Sequence, residues 1–317
     1  MIPLQNTTYE SVRGFNYQPS NGCNGAEVWA RFDPELYRTE LSRGTRFFPG
    51  MNTVRTWLSL DAWLSDRDEF LRNVLSAVSV IDELGLKTIP VLFNGWFGIP
   101  MWGGLTCEVI GVERDRGDYG VYRRYVASVI AALAPLRDTV LIWDLCNEPL
   151  NNAPTEANQH LWADFLRTMR RTVREGDDRT PITIGNQWAD QAYVDRFGDI
   201  VDVFSLHPYY PYGTPTPEEL EAQLDESITA INQAGKPALV TECCWGSLDD
   251  AERVEYIRIA LAACKARRLG FMPHLLHHTL VADGHRPEYG HIGVAGYMAF
   301  IEADGSLRPG HGIWNEF

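Results

Sequence analysis

Eight short apolar runs, at 12–17, 53–58, 88–93, 140–146, 182–185, 201–206, 238–241 and 270–275, recur along the chain. Between them, at 33–47, 66–84, 119–133, 155–175, 187–194, 217–234 and 249–268, apolar residues return every three or four positions, the repeat of an amphipathic helix. A run that is apolar on both faces belongs in a parallel sheet, and parallel strands need crossovers long enough to hold a helix. Eight such runs alternating with helices predict a sheet closed on itself, a single (β/α)8 TIM barrel over residues 1–317. A doubly wound open sheet is the competing architecture, but no GxGxxG follows the first run.

Boundary chemistry agrees with this reading. DPEL at Asp33, SDRDEF at Ser65 and TPEEL at Thr216 each set a capping oxygen before an acidic first turn. LGLK at Leu84 and AGKP at Ala234 supply the glycine that ends a helix before the next strand. Long loops are expected after strand three, at 93–107, and after strand eight, where YMAFIEADGSLRPG reads as a hairpin turning at Asp304 and Gly305. Only a short or atypical eighth helix fits after that turn.

Composition narrows the partners. With 28 basic against 42 acidic residues the formal net charge is −14, which argues against nucleic acid and anionic membrane and favours a neutral or cationic ligand. No stretch reaches the ~18 uninterrupted apolar residues of a membrane span, and MIPLQNTTYESVRG lacks the basic and apolar regions of a signal peptide. The six cysteines show no CxxC spacing and read as reduced, mostly core thiols, so a cytoplasmic location is expected. No motif asks for a cofactor, and nothing in the pattern specifies an oligomer.

Barrel enzymes carry their chemistry where strands end and βα loops begin. The polar residues at those places are Asn16 and Tyr17, Arg55, Asn94, Asn147 with Glu148, His207, Glu242, and His274 or His277. Two are carboxylates three strands apart. Paired carboxylates across a cleft are what glycosidic bond cleavage needs, one protonated to help the leaving oxygen depart and one ionised to attack the anomeric carbon or activate water. Arg55 and His207 near Glu242 would hold it ionised, and Asn147 would bond a sugar hydroxyl beside the acid. Pro149 gives no N–H to a sheet and biases Glu148 away from helical geometry, so the strand is expected to stop where the acid faces the cleft.

In order along the chain, RGFNY at Arg13, NTVRTW at Asn52, NEP at Asn147, HPYY at His207 and TECCW at Thr241 resemble the clan A glycoside hydrolases, most closely the cellulase and mannanase family known as glycoside hydrolase family 5. That resemblance implies a retaining mechanism with Glu148 as acid/base and Glu242 as nucleophile, supported by Arg55, Asn147, His207 and Tyr209. Two positions depart from the family's pattern. Asn94 stands where a histidine usually ends strand three, and GFMPHLLHHT lacks the strand-eight tryptophan that commonly serves as the sugar platform. His274, His277, Trp96, Trp102 and Trp245 are the candidates to replace it.

The expected function is a retaining β-glycosidase acting on β-linked glycosides or short oligosaccharides. The two long loops favour exo action on a β-mannoside or β-glucoside; an endo-acting mannanase or cellulase is the alternative. From other classes, His274, His277, His278, His285 and His291 suggest a metal-dependent barrel hydrolase, and loss of one carboxylate would leave a sugar-binding barrel. The spacing assures no tetrahedral site, so no metal is expected.

Overall fold

Strands β1 (Gly14–Tyr17), β2 (Thr53–Trp57), β3 (Lys87–Val91), β4 (Trp143–Asn147), β5 (Ile182–Asn186), β6 (Phe204–Leu206) and β7 (Ala238–Val240) lie side by side in chain order. Every adjacent pair is parallel. The computed structural model showing them describes residues 1–96 and 104–317; part of the strand-three loop, with Trp102, lies outside the described residues.

The ring is completed around Phe271, which bridges in parallel to Arg13 on one side and to Val240 of β7 on the other. Gly14 N–H donates to Phe271 O at 3.0 Å and Met272 N–H to Val240 O at 2.9 Å. The fold is the (β/α)8 barrel, but the eighth run forms a bridge instead of the strand expected over 270–275. Pro273 explains part of this, because it accepts from Asn16 N–H at 3.0 Å yet has no N–H to return to the ladder.

The helices are α1 (Gly25–Ala30), α2 (Pro34–Phe47), α3 (Leu60–Ser65), α4 (Arg67–Glu83), α5 (Cys107–Gly117), α6 (Gly120–Leu133), α7 (Glu156–Gly176), α8 (Gln191–Phe197), α9 (Pro217–Ala234) and α10 (Asp250–Ala266). Asp33 caps α2, and Thr216 with Glu219 closes a capping box on α9. Two boundaries differ from expectation. Asp66, not Ser65, caps α4 by accepting from Glu69 N–H. The helix expected at 187–194 starts at Gln191, because Asp190 takes the Tyr193 N–H; this leaves Gln187 in a loop that reaches the cleft. Short helices α1, α3 and α5 follow the first three strands and build up the rim on that side.

After the eighth run the chain forms the hairpin, with Ile301 and Leu307 paired antiparallel and Gly305 at φ 82°, and then a 3-10 turn at His311–Glu316. No helix of the described residues is long and apolar enough to cross a membrane.

Strand residues pointing outward, such as Val54, Leu145, Ile182 and Ile184, join one large core with the helices. A smaller cluster of Tyr9, Val12, Ile89, Ile142, Val203, Leu239 and Met272 closes the ring's interior. Other inward positions are polar: Asn16, Arg55, Asp144, Ser205 and Thr241 are all buried. A barrel interior is packed solid, so polar groups concentrated there must bond to one another and make a rigid platform.

Candidate active site

Arg55 is the hub of that platform. From the middle of β2 its Nε and Nη2 donate to Asp144 Oδ2 at 3.0 and 2.8 Å, Nη1 to Asn16 Oδ1 at 2.9 Å, and Nη2 to Asn147 Oδ1 at 2.9 Å. Nη1 also donates to Glu242 Oε1. Five donors thus meet acceptors from two other strands, β1 and β4, and from Glu242. Strict strand alternation would aim Asp144 and Asn147 to opposite faces; a register shift in β4 between them lets both reach Arg55.

Glu242 follows β7 and also accepts from the Tyr209 hydroxyl at 2.6 Å. Burial alone would push its carboxyl up, but the neighbouring His207, Arg55 and His274 side chains and the Tyr209 hydrogen bond outweigh this and bring it from 4.5 to about 2. Arg55 is the permanent charge among them. Tyr209, buried beside a carboxylate, is held well above the ordinary phenol range and remains a donor.

Glu148 lies at the mouth of β4. Its Oε1 stands 2.7 Å from His207 Nδ1, and its Oε2 accepts from Asn151 at 2.6 Å. His207 Nε2 faces Thr241 Oγ1 at 2.9 Å, which fixes the ring. The backbone of Glu148 is left-handed, φ 47° and ψ 53°, outside both the right-handed helix and the extended region. Proline excludes the right-handed helix for the residue before it, but the Glu148 N–H to Gly185 O bond at 2.9 Å turns the chain as it leaves the sheet. Positive φ on a non-glycine residue costs of order 1–3 kcal/mol, strain typical of functional sites.

An oxygen of Glu148, a nitrogen of His207 and an oxygen of Glu242 lie within 4.8 Å of one another. One oxygen of each carboxyl thus lies within 4.8 Å of the other, an approach that the ~5–5.5 Å separation of carboxyl groups in retaining glycosidases allows.

Gly185 on β5 makes room for the arrangement. A Cβ there would lie 2.9 Å from His207 Cε1 and 3.0 Å from an Arg55 guanidinium nitrogen, both held by hydrogen bonds. Gly185→Ala is therefore expected to destabilise the fold by about 1–3 kcal/mol and to lower kcat/KM, as read by urea unfolding and aryl-glycoside kinetics.

The cleft over these groups encloses about 1100 Å³, including open solvent at its mouth. Of the residues expected from sequence, Asn94, Trp96, Asn147, Glu148, Tyr209, Glu242, Trp245 and His274 line it, with Arg55 and His207 buried beneath. His277 does not: its Nδ1 bonds the His278 carbonyl at 2.9 Å, its Nε2 meets Arg43 at 3.0 Å, and it packs behind the eighth run. Asn94 holds Asn147 in place, accepting from its amide at 3.1 Å. Trp245 is stacked on Tyr212 with ring centroids 4.3 Å apart and planes 6° apart, forming a flat aromatic face at the rim.

Trp57, Gln187 and Asp283 also line the cleft and were not anticipated. Trp57 was legible, since it lies two residues beyond Arg55 and so on the same face of β2. Gln187 follows β5, whose end carries no charged residue to mark it. Cys243, next to Glu242, is fully buried, and burial raises its thiol well above the ordinary range, as filler would require. None of the five clustered histidines belongs to the His207 group; among the described residues that group is the one set of acid, histidine and cysteine side chains close enough to share an ion.

A parallel barrel whose strand ends present two facing carboxylates over a buried arginine defines the class of barrel glycoside hydrolases. A family model for cellulase, glycosyl hydrolase family 5, matches residues 48–272, and the chain belongs to that family. Its members are retaining glycoside hydrolases. No curated protein sequence matches the chain significantly.

Solved structures agree on the fold. Exo-beta-1,4-mannosidase Op5Man5 from Opitutaceae bacterium strain TAV5 is 20% identical with a TM-score of 0.72, covering 96% of this chain and 58% of its own. The hyperthermostable endo-1,4-beta-D-mannanase from Thermotoga petrophila RKU-1 is 16% identical with a TM-score of 0.68, over 96% and 98% of the two chains. A family 5 mannosidase from Rhizomucor miehei is 12% identical with a TM-score of 0.67, over 96% and 92%. This chain therefore spans a little under three fifths of the Op5Man5 length.

Proposed function

We propose that the protein removes single β-linked sugars, mannose or glucose, from the ends of short oligosaccharides or glycosides, with Glu242 as nucleophile and Glu148 as acid/base. The observation that carries the roles is the unequal bonding of the two acids. Glu242 is clamped in its ionised form by Arg55 and Tyr209. Glu148 is paired with an imidazole whose Nδ1 accepts from the protonated acid or donates to the carboxylate.

In the first step a carboxylate oxygen of Glu242 bonds to the anomeric carbon. The bond to the leaving oxygen breaks, and that oxygen takes the proton of Glu148. The charge on Glu242 is consumed in the ester, and Glu148 is left ionised. In the second step Glu148 takes a proton from water as the water oxygen displaces Glu242 from the same carbon, so configuration is retained. Two inversions and one shared proton close the cycle.

Exo action is supported by the loop after the eighth run, which forms one wall of the cleft. Op5Man5 and the Rhizomucor miehei protein are named as mannosidases and the Thermotoga protein as an endo-mannanase, so the products decide between the modes. Incubation with short β-mannan and β-glucan oligomers should release monosaccharide alone. Mixed oligomers cut from polymer would make the enzyme endo-acting.

The acid/base role has its own test. Glu148→Ala should lower turnover of disaccharides by about 10²–10⁴-fold. It should slow the first step far less on a dinitrophenyl glycoside, whose leaving group needs no proton. An equal loss of that step on both substrates would assign Glu148 another task.

A further inference from the structure

Asp283 is a carboxylate with no use in the mechanism above. It sits in the loop after the eighth run, lines the cleft, and receives no hydrogen bond or ion pair from any side chain among the described residues. Its Oδ1 is buried against Gly293, where a Cβ would come within 2.2 Å of it. Its neighbours on the cleft wall, Val281, Ala282, Val294 and Ala295, are apolar. Burial raises it to about 6, and the amides of Gly293 and Ala295 offset only part of that. A buried acid without a side-chain donor calls for an explanation.

The position of the loop supplies one. In an eight-stranded ring the eighth position lies diametrically opposite the fourth. Glu148, at the end of β4, must stand on the leaving-group side of the scissile bond to protonate it. Groups on the eighth loop therefore face the other side, that of the sugar being transferred. His274 Nδ1 on the eighth run, and Trp57 Nε1 on β2, midway round the ring between the eighth and fourth positions, are also buried, have no hydrogen-bond partner among the described residues and belong to cleft-lining residues.

The loop is built as a fixed wall. Thr279 N–H donates to Gly284 O at 2.8 Å, Met298 N–H to Asp283 O at 2.9 Å, and Thr279 Oγ1 to Pro19 O at 2.9 Å. Arg286 ties its base to Glu302 and Asp250. Asp283 itself is left-handed, φ 65°, a conformation that aspartate and asparagine tolerate better than other side chains.

We propose that Asp283 is the specificity-determining residue of the glycone pocket, its carboxylate accepting hydrogen bonds from hydroxyls of a neutral sugar at the non-reducing end and fixing that end in the cleft. The assignment rests on the glycosidase reading of the site and adds what the pocket grips. Hydroxyls suit it better than an ammonium group, because the two amides already supply partial positive charge and what remains is acceptor capacity. Bonds from a ligand to an ionised acceptor that has no side-chain donor contribute roughly 10- to 100-fold in affinity.

The test separates binding from turnover. In Glu242→Gln protein, which holds ligand without consuming it, calorimetry compares β-linked mannobiose and cellobiose with and without Asp283→Asn. Asparagine keeps the shape and the left-handed backbone, so the melting temperature should be unchanged. At least one disaccharide should bind roughly 10-fold or more weakly to the Asp283→Asn form. Equal affinity in the two forms, or no binding of either disaccharide, overturns the assignment whether or not the wild type turns over glycosides. In otherwise wild-type protein, a preference for an aryl β-glucosaminide that disappears in Asp283→Asn would overturn it in favour of an ammonium ligand. Failure of the glycosidase reading would appear separately, as wild type inert on every aryl β-glycoside.

Discussion

Turnover should fall by on the order of 10⁴-fold or more when Glu242 is replaced by alanine, the scale seen when a covalent nucleophile is removed. The fold should survive, because Arg55 keeps Asp144, Asn16 and Asn147 as partners when Glu242 is gone. The loss would therefore be chemical. Truncation leaves a vacancy below the anomeric carbon, and a small anion such as azide can fill it. Azide nitrogen then bonds to that carbon, the aryl oxygen departs with the proton from Glu148, and the product is a glycosyl azide of inverted configuration. Aryl β-glycoside kinetics with and without azide, with the product identified by NMR, check both halves. Undiminished hydrolysis by Glu242→Ala without azide would sink the double-displacement mechanism.

The barrel was legible because its two periods are long and regular. Strands buried on both faces read as apolar runs, and helices α2, α4, α6, α7, α9 and α10 each repeat their apolar face over three or more turns. Single hydrogen bonds moved the boundaries. Asp190 displaces the start of α8, and Pro273 thins the eighth strand to a bridge. The candidate site was legible wherever a polar residue interrupts an apolar run at its end, which is how Asn147, Glu148, His207 and Glu242 stand out, while Arg55 stands out as a cation inside the run at 53–58. Asp144 was missed because it lies inside the run, and alternation would turn it away from Asn147 if β4 had no register shift. Asp283 was beyond reach for another reason. A loop acid gains meaning only from what surrounds it, and no period in the sequence reports that Gly293, ten residues later, packs against its carboxylate.

Arg55 sets the second large effect, and it acts on stability and chemistry together. Its side chain is fully buried and bonds two acids, Asp144 and Glu242, that are themselves buried. Replacing it with methionine keeps the volume of the stem but strands both carboxylates, and breaking a buried ion pair in this way costs about 3–5 kcal/mol. The pH dependence gives the cause a signature. In the wild type the Glu242 carboxyl is depressed below its unfolded value, from 4.5 to about 2, so the stability it contributes is complete above about pH 4.5 and is lost as pH falls towards 2. In Arg55→Met that depression shrinks, since burial, which pushes the carboxyl up, is no longer opposed by a permanent cation. Urea unfolding should show the largest gap between wild type and variant near neutral pH and a narrower gap in acid, where protonation neutralises the stranded carboxylates. The acid limb of kcat/KM should shift to higher pH in the same variant, because a protonated Glu242 is no nucleophile. A gap independent of pH would mean that Arg55 is held for its packing alone, and an unmoved acid limb would separate it from the nucleophile.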